Sequence, residues 1–259
     1  MKAAVVYKYD SIRIAEDAKK FIEESICHAE IFHIPDKRLE TYDFIVSVGG
    51  DGTILRILQE VEECPPIFGI NTGRIGLLTH ANPENFRDVL PGVVDRWETE
   101  EFMRIEAEIN GKVMLRALNE IAFLSNTPAR LIGLRVSVDG VEIEDMRCDG
   151  ILLATPIGST AYALSSGGPI IDPYLESILI VPVAPFRLGW KPWVIKHDRR
   201  IEIKVSRERN ALAISDGQKI IEVGNEDDVV VFASQFPAVF FRSGFNRLER
   251  IKRKLMSIR

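Results

Sequence analysis

The hydrophobic pattern of this chain changes near residue 100. Over residues 2–95, short apolar runs alternate with longer segments in which apolar residues recur at helical spacing. Such alternation is typical of a parallel sheet covered by helices, so this part predicts a Rossmann-like α/β domain. The predicted strands are residues 3–7, 31–34, 44–48 and 67–70. The predicted helices are residues 12–26, 53–61 and 83–94, the last with Asn82 as its cap and Pro83 in its first turn.

From about Phe102 the apolar runs become short and closely spaced. They predict strands at residues 105–109, 117–124, 134–138, 151–154, 178–181, 201–205, 212–215 and 229–232. Several are separated by dipeptides that favour tight hairpin turns, namely Asn110-Gly111, Asp139-Gly140 and Asp216-Gly217. This part therefore predicts an antiparallel β-sandwich.

The predicted domains are an α/β domain over residues 1–98 and a β-sandwich over residues 99–244. The tail, residues 245–259, returns to helical spacing and is expected to join the first domain. Its basic residues alternate with Leu248, Ile251 and Leu255, so they are interpreted as the polar face of an amphipathic helix. These basic residues are Arg247, Arg250, Lys252, Arg253 and Lys254.

Charge and composition exclude several classes of protein. A net charge of −5 and a pI near 5.6 argue against a general nucleic-acid binder. The cysteines (Cys27, Cys64 and Cys148) show no C-x-x-C spacing and are odd in number, which favours a reducing cytoplasm. The histidines show no metal-ligand grouping. With no apolar signal core and no apolar run of about 18 residues, neither secretion nor a membrane span is expected.

The most informative segment is residues 44–53, FIVSVGGDGT, in which a β-branched run ends at three glycines within four positions. Glycines let backbone N–H groups approach a phosphate closely. Asp51 repels phosphate, so its expected partner is a metal ion or a hydroxyl proton, and the combination suggests phosphoryl transfer. The alternative is a tight strand-to-helix turn in which Asp51 is solvated or caps the helix. The segment is neither a G-x-G-x-x-G fingerprint nor a Walker A loop.

Two further polar segments interrupt apolar surroundings. Asn119-Glu120 lies inside an apolar run, so one of its side chains can face inward and bind a ribose or a base edge; the alternative is a solvated strand end. In residues 149–165, Ser159 or Thr160 is the predicted N-cap of a short helix on which Tyr162 and Ser165 share a face. A capped turn without a ligand is the alternative there. Asp216-Gly217-Gln218 alone indicates only a hairpin turn.

Taken together, these elements closely resemble the NAD kinase family over residues 44–220. The elements, in order, are Gly49-Gly50-Asp51-Gly52-Thr53, residues 69–79 (GINTGRIGLLT), Asn119-Glu120, residues 149–169 with TPIGSTAYALS, and Asp216-Gly217-Gln218. The glycine element is shared with lipid kinases and, in a variant form, with phosphofructokinases. The TPIGSTAY element is much more specific.

The resemblance implies an α/β domain followed by a β-sandwich, and transfer of a phosphoryl group from ATP or polyphosphate to the 2′-hydroxyl of the adenosine ribose of NAD. It implies a divalent metal, Mg²⁺, and a homodimer or homotetramer with sites shared between subunits. By position, Asp51 is the implied general base or metal-associated carboxylate, and Asn119 and Glu120 hold the adenosine. The other implied binding residues are Gly50, Gly52, Thr53, Arg56, Arg147, Asp149, Thr160, Ala161, Tyr162, Ser165 and Gln218.

The sequence also departs from the family pattern. Leu77 stands where many relatives carry Phe, Phe186 where they often carry His, and Ala154 and Ile157 where Ser and Thr are commoner. Two other functions stay open from the residues alone: a lipid or sugar kinase with the same glycine loop, and an NADP-binding sensor without turnover. The preferred phosphoryl donor and the choice between NAD and NADH are also left open.

Overall fold

The structure is a computed structural model that describes residues 1–73, 76–187, 189–206, 209–242, 244 and 246–257. Two compact units emerge, one from Met1–Glu101 with Phe236–Arg259 and the other from Phe102–Gln235. The strands are β1 (Lys2–Tyr7), β2 (His28–Phe32), β3 (Phe44–Gly49), β4 (Ile67–Asn71), β5 (Thr99–Phe102), β6 (Ile105–Ile109), β7 (Lys112–Ala117), β8 (Glu120–Ser125), β9 (Ile132–Val138), β10 (Val141–Cys148), β11 (Gly150–Ala154), β12 (Ser177–Val183), β13 (Trp193–Lys196), β14 (Ile201–Val205), β15 (Ala211–Ser215), β16 (Lys219–Val223), β17 (Val229–Ala233) and β18 (Ala238–Phe241). The helices are α1 (Ile12–Ser25), α2 (Asp51–Glu60), α3 (Phe86–Arg96), α4 (Tyr162–Ser165) and α5 (Arg247–Ser257).

The first unit contains a six-stranded sheet in the order β2-β1-β3-β4-β18-β5. Its pairs β1–β2, β1–β3, β3–β4 and β4–β18 are parallel, which confirms the predicted α/β fold. Every residue of β3 is buried, because this strand lies between two others and is covered on its faces. Helix α1 packs Ala15, Ala18 and Ile22 into the same core as the inner strands. The buried strand β3 therefore carries Gly49 to the carboxyl edge of the sheet.

Some segments of the first unit differ from the prediction. Helix α3 begins at Phe86 rather than Pro83, because the Asn82 side chain accepts hydrogen bonds from the N–H groups of Glu84 (3.1 Å) and Asn85 (3.0 Å) and forms a separate turn. Strands β5 and β18, which fall within the predicted sandwich range, join the first sheet. There the centroids of the Phe241 and Trp97 rings lie 5.3 Å apart. Such contacts join distant segments of the chain, so the local sequence pattern does not predict them.

The second unit consists of two six-stranded sheets, β10-β9-β14-β17-β6-β7 and β13-β12-β11-β8-β15-β16. Neighbouring strands in both sheets are antiparallel, and both sheets contribute buried residues to one apolar core, which confirms the predicted β-sandwich. The dipeptides Asn110-Gly111, Asp139-Gly140 and Asp216-Gly217 all have positive φ at both residues. They are therefore the mirror-image turns that match strand twist in a hairpin. Strands β7, β10, β13 and β16 were not predicted, because their exposed faces carry polar or isolated apolar residues.

The tail forms helix α5, as predicted, but its basic residues do not all face solvent. The Arg247 side chain is buried and pairs with Glu100, and Arg250 is partly buried and donates to the Thr79 carbonyl. Lys252 and Arg253 remain exposed, as predicted. Phe245, Ile258 and Arg259 lie outside the described residues. No helix in the described part of the chain is long and apolar enough to cross a membrane.

Candidate active site

The glycine loop connects β3 to α2 at the carboxyl edge of the first sheet. Gly50 is the N-cap of α2 in an extended conformation, and the Thr53 N–H donates to its carbonyl at 3.0 Å. A Cβ atom on Gly49 would lie 2.1 Å from Thr53 Oγ1, so glycine is required there for packing. A Cβ atom on Gly50 or Gly52 would meet no protein atom within 4 Å. The space above these two glycines is therefore open to a ligand beside the helix N-terminus.

The Asp51 carboxylate is held by the backbone of the segment that follows β4. Oδ2 accepts the Leu77 N–H at 2.9 Å, and Oδ1 accepts the Leu78 N–H at 3.0 Å. A Cβ atom on Gly76 would lie 3.1 Å from Asp51 Oδ1, so this segment approaches the carboxylate closely. Since each carboxylate oxygen has two lone pairs, each can still accept a hydroxyl proton or bind a cation. Asp51 is thus fixed in orientation without being saturated.

The other sequence-predicted residues of the first unit lie along the same helix. Thr53 is buried in the first turn of α2, where it packs under Gly49. Arg56, one turn further on, is half-buried, and its Nη2 donates to the His33 carbonyl at 3.4 Å. Residues 69–79 were also part of the resemblance, and within them Arg74 and Ile75 lie outside the described residues.

In the second unit, Asn119-Glu120 is organised by a residue that the sequence analysis treated as a turn residue. The Asp216 carboxylate accepts the N–H groups of Leu118 (2.8 Å), Asn119 (2.7 Å) and Glu120 (3.1 Å). Asp216 is only 6% exposed although it lies in a hairpin turn. Burial raises its pKa to about 6, against the lowering effect of these amides and of the Arg104 guanidinium. Asp216 therefore fixes the backbone that carries both predicted adenosine-binding side chains.

Glu120 has a buried carboxyl group, one oxygen of which forms no hydrogen bond with the described residues. Burial, and next the neighbouring Asp216 carboxylate, raise the pKa of Glu120 to about 7, while the Tyr162 backbone N–H opposes the shift. Its Oε2 atom is buried and has no hydrogen-bond partner among the described residues. A buried acceptor without a donor is costly, and a hydroxyl of a bound ligand would remove that cost.

The specific segment 155–165 packs directly on Asn119. The Thr155 N–H donates to the Asn119 carbonyl at 2.9 Å, and a Cβ atom on Gly158 would lie 1.9 Å from the same oxygen. The predicted N-cap is wrong, because a 3-10 turn over Gly158–Thr160 precedes α4, whose N-cap is Ala161. Ser159 instead donates to the Pro156 carbonyl at 2.6 Å and accepts the Ile171 N–H at 3.0 Å.

Most of the remaining predicted residues lie at the surface of the second unit. Tyr162 and Ser165, on α4, are exposed, Ala161 is partly exposed and Thr160 is buried. Arg147 and Asp149 flank the junction of β10 and β11 with exposed side chains. Gln218 is also exposed, and its Nε2 donates to the Asp216 carbonyl at 3.4 Å. The structure therefore groups Asn119, Glu120, Asp216 and the 155–162 segment, and leaves the other side chains free to meet a ligand.

The raised pKa of Glu120 predicts a pH-dependent effect of one substitution. Between pH about 4.5 and 7 the folded protein keeps the Glu120 proton while the unfolded chain loses it, so this residue lowers the free energy of unfolding as the pH rises. We expect Glu120→Gln without ligand to gain stability relative to the wild type between pH 5 and pH 8, by at most about 3 kcal/mol. Denaturant unfolding at both pH values measures this gain.

The exposed Glu226, in the same unit, offers a matched control. Glu226→Gln is expected to change the free energy of unfolding by less than about 0.5 kcal/mol at either pH. A Glu120→Gln variant with the same difference from the wild type at pH 5 and pH 8 would show that Glu120 titrates normally.

The fold combines an α/β unit that carries a glycine loop with an antiparallel β unit that carries the Asn119-Glu120 group. Two family models match the chain: ATP-NAD kinase N-terminal domain over residues 3–97 and ATP-NAD kinase C-terminal domain over residues 118–243. An NAD kinase from Archaeoglobus fulgidus is 51% identical over 244 residues, which cover 94% of each protein. The chain belongs to the NAD kinase family.

Further relatives agree with this assignment. The NAD kinase of Methanosarcina mazei is 42% identical over 220 residues, covering 84% of this chain and 76% of the relative. The crystal structure of an NAD kinase from Archaeoglobus fulgidus in complex with ATP matches with a TM-score of 0.88 and 46% identity, covering 100% of this chain and 98% of the other. Yeast NADH kinase complexed with NADH has a TM-score of 0.87 at 22% identity, covering 99% of this chain and 88% of the other, which shows the same fold.

Proposed function

We propose that this protein transfers a phosphoryl group from ATP to the 2′-hydroxyl of the adenosine ribose of NAD, giving NADP. The observation that carries the proposal is the Asp51 carboxylate, oriented by the Leu77 and Leu78 amides at the open end of the glycine loop. A site that only binds phosphate gains nothing from a carboxylate beside it. A carboxylate that accepts the proton of the attacking hydroxyl contributes about 10²–10⁴-fold to the rate.

The roles of the other residues follow from their places in each unit. The N–H groups of Gly50 and Gly52 bind donor phosphate at the start of α2, where Thr53 closes the turn by donating its own N–H to the Gly50 carbonyl. Arg56 adds positive charge one turn along. Asn119 and Glu120 hold the adenosine ribose, where the unpartnered Glu120 oxygen accepts a hydroxyl hydrogen bond. The other predicted residues of the second unit complete the dinucleotide site. The exposed ones are Arg147, Asp149, Tyr162, Ser165 and Gln218, while Ala161 is partly exposed and Thr160 is buried.

The residues of the loop fit a divalent metal that arrives with the donor. No group of three or more His, Cys, Asp or Glu side chains is arranged to hold a metal ion anywhere in the described sequence. Mg²⁺ at phosphoryl-transfer sites commonly uses one or two carboxylates together with phosphate oxygens and water. Asp51 supplies such a carboxylate. When bound, the ion would neutralise charge on the transferred phosphoryl group.

Two further features belong to this proposal. The protein works in the cytoplasm as a homodimer or homotetramer whose subunits share sites. The cytoplasmic location is supported by Cys27, Cys64 and Cys148, which form no disulfide among the described residues. The assembly into a homodimer or homotetramer is supported by the apolar side chains exposed on the second unit, among them Phe186 (78% exposed), Tyr174 (60%) and Val194 (55%). Neither nucleic acid nor a membrane is a proposed partner.

The experiment that tests the activity is NADP formation from NAD, ATP and Mg²⁺, detected with an NADP-specific dehydrogenase. Parallel reactions with polyphosphate, other nucleoside triphosphates and NADH establish the donor and acceptor range. Tight NAD binding without turnover with any donor would contradict the proposal and favour a sensor. No NAD binding at all would direct attention to lipid or sugar acceptors.

Gly52→Ala tests whether the glycine loop contacts the donor. Because an alanine Cβ at this position meets no protein atom within 4 Å, the melting temperature is expected to stay the same or rise slightly. A methyl group between the loop and a phosphate should lower kcat/KM for ATP by about tenfold or more. Thermal unfolding and steady-state kinetics measure the two effects. Unchanged kcat/KM would show that phosphate does not approach Gly52.

A further inference from the structure

Helix α5, at the end of the chain, contacts the same short segment that holds the Asp51 carboxylate. Arg247 Nη1 donates to the Leu77 carbonyl at 2.7 Å, while the Leu77 N–H donates to Asp51. Arg250 Nη1 donates to the Thr79 carbonyl, one residue beyond Leu78, whose N–H donates to the other Asp51 oxygen. Arg247 therefore binds the carbonyl of the same peptide group whose N–H, on Leu78, donates to Asp51, and Arg250 binds a carbonyl two peptide groups further along.

Arg247 is itself held in place by a buried ion pair. The Arg247 guanidinium is 5% exposed and forms an ion pair with Glu100, which is 6% exposed and lies on β5. A planar guanidinium that bonds both a carboxylate and a carbonyl has little rotational freedom. Burial and the neighbouring Arg247 lower the pKa of Arg250, and the Asp51 and Glu100 carboxylates oppose that shift. The position of the Leu77 peptide is thus set by a buried ion pair on α5 and β5.

We propose that Arg247 and Arg250 are positioning residues for Asp51: by binding the Leu77 and Thr79 carbonyls they aim the Leu77 and Leu78 amides at its carboxylate. This inference rests on the proposed role of Asp51 in phosphoryl transfer. A carboxylate displaced by about 1 Å from its reactive position can lose on the order of 10²-fold in rate. The arginines act through Asp51, so their loss affects turnover rather than substrate binding.

The chain offers matched variants on a single helix. Arg250→Gln removes the guanidinium, whereas Arg250→Lys keeps the positive charge and can still donate a hydrogen bond. Arg253→Gln changes an exposed arginine one turn along α5. We expect Arg250→Gln to lower kcat by about 10–100-fold, with KM for NAD and ATP within about threefold of the wild type. Arg250→Lys should fall between Arg250→Gln and the wild type, and Arg253→Gln should match the wild type.

Amide hydrogen exchange gives a readout that does not depend on activity. In Arg250→Gln the Leu77 and Leu78 amides are expected to exchange about tenfold faster or more, because the segment is no longer held. If wild-type protein forms no NADP, the proposed function fails, and exchange at these two amides alone decides whether the arginines hold the segment. If Arg250→Gln does not fold, an intermediate loss in Arg250→Lys supports the inference, and wild-type kcat and exchange in that variant overturn it.

The kinetic parameters separate positioning from substrate contact. A rise in KM for ATP with unchanged kcat would overturn the inference, because Arg250 would then bind the donor directly. Unchanged kcat together with unchanged exchange at Leu77 and Leu78 would overturn it as well.

Discussion

Asp51→Asn is expected to lower kcat by about 10³-fold while KM for NAD changes by less than about threefold. The amide oxygen of asparagine can still accept one of the two backbone N–H groups that now orient the carboxylate, so the loop keeps most of its shape. An amide cannot take the proton of the attacking ribose hydroxyl, and it binds Mg²⁺ more weakly than a carboxylate does. The effect therefore falls on the chemical step. Steady-state kinetics with NAD and ATP measure it.

The control for this substitution is Asp95→Asn, on the exposed face of α3 in the same unit. It is expected to leave both kcat and the melting temperature unchanged, since surface substitutions usually alter stability by less than about 0.5 kcal/mol. Turnover of Asp51→Asn equal to that of Asp95→Asn would remove Asp51 from the mechanism.

Asp216→Asn is expected to cost about 1–3 kcal/mol in the free energy of unfolding. Leu118 donates to Oδ2, while Asn119 and Glu120 both donate to Oδ1. In asparagine one of these positions becomes an NH₂ group, so at least one buried N–H loses its acceptor. The attraction between this carboxylate and the fully buried Arg104 is lost as well, although removing the charge also relieves the burial cost that raises the pKa of Asp216. Denaturant unfolding at pH 8 measures the change, and KM for NAD should rise because Asn119 and Glu120 are less well fixed.

Asp139 provides the matched control, because it occupies the corresponding place in another hairpin turn. Its φ of 49° is nearly that of Asp216 at 48°, but its side chain is exposed and bonds Arg199 and the Arg200 N–H. Asp139→Asn should cost less than about 1 kcal/mol. Equal destabilisation of the two variants would mean that turn geometry, rather than burial of Asp216, determines the stability.

Local signals allowed much of the fold to be predicted. A β-branched run that stops at glycines defines β3 and the start of α2, and a polar residue followed by glycine defines the three positive-φ hairpin turns. Both patterns can be recognised from a few consecutive residues, because backbone sterics and the alternation of side chains along a strand are local properties. The α/β fold of the first part and the antiparallel β fold of the second follow from the same signals, and the structure confirms both.

The features that were missed depend on contacts between distant segments. The Asp216 carboxylate is buried where it accepts three backbone N–H groups from residues about a hundred positions earlier in the chain. Nothing in the Asp216-Gly217-Gln218 tripeptide distinguishes this turn from an exposed one. Arg247 and Arg250 have the spacing of a solvated helix face. They nevertheless face the interior, where Arg247 pairs with Glu100 and both arginines donate to backbone carbonyls. One signal was available for Asp216, since it occurs in the element that resembles the family.

The proposed 2′-phosphorylation is best tested by identifying the product of the reaction between NAD, ATP and Mg²⁺. Mass spectrometry would establish the gain of one phosphoryl group, and ³¹P NMR with ¹H coupling would locate the new phosphate. We expect a dinucleotide with a phosphomonoester on the 2′-oxygen of the adenosine ribose, formed by the wild type and lost in Asp51→Asn. A phosphate on any other hydroxyl, or recovery of unmodified NAD under conditions where it binds, would show that the protein does not phosphorylate this position.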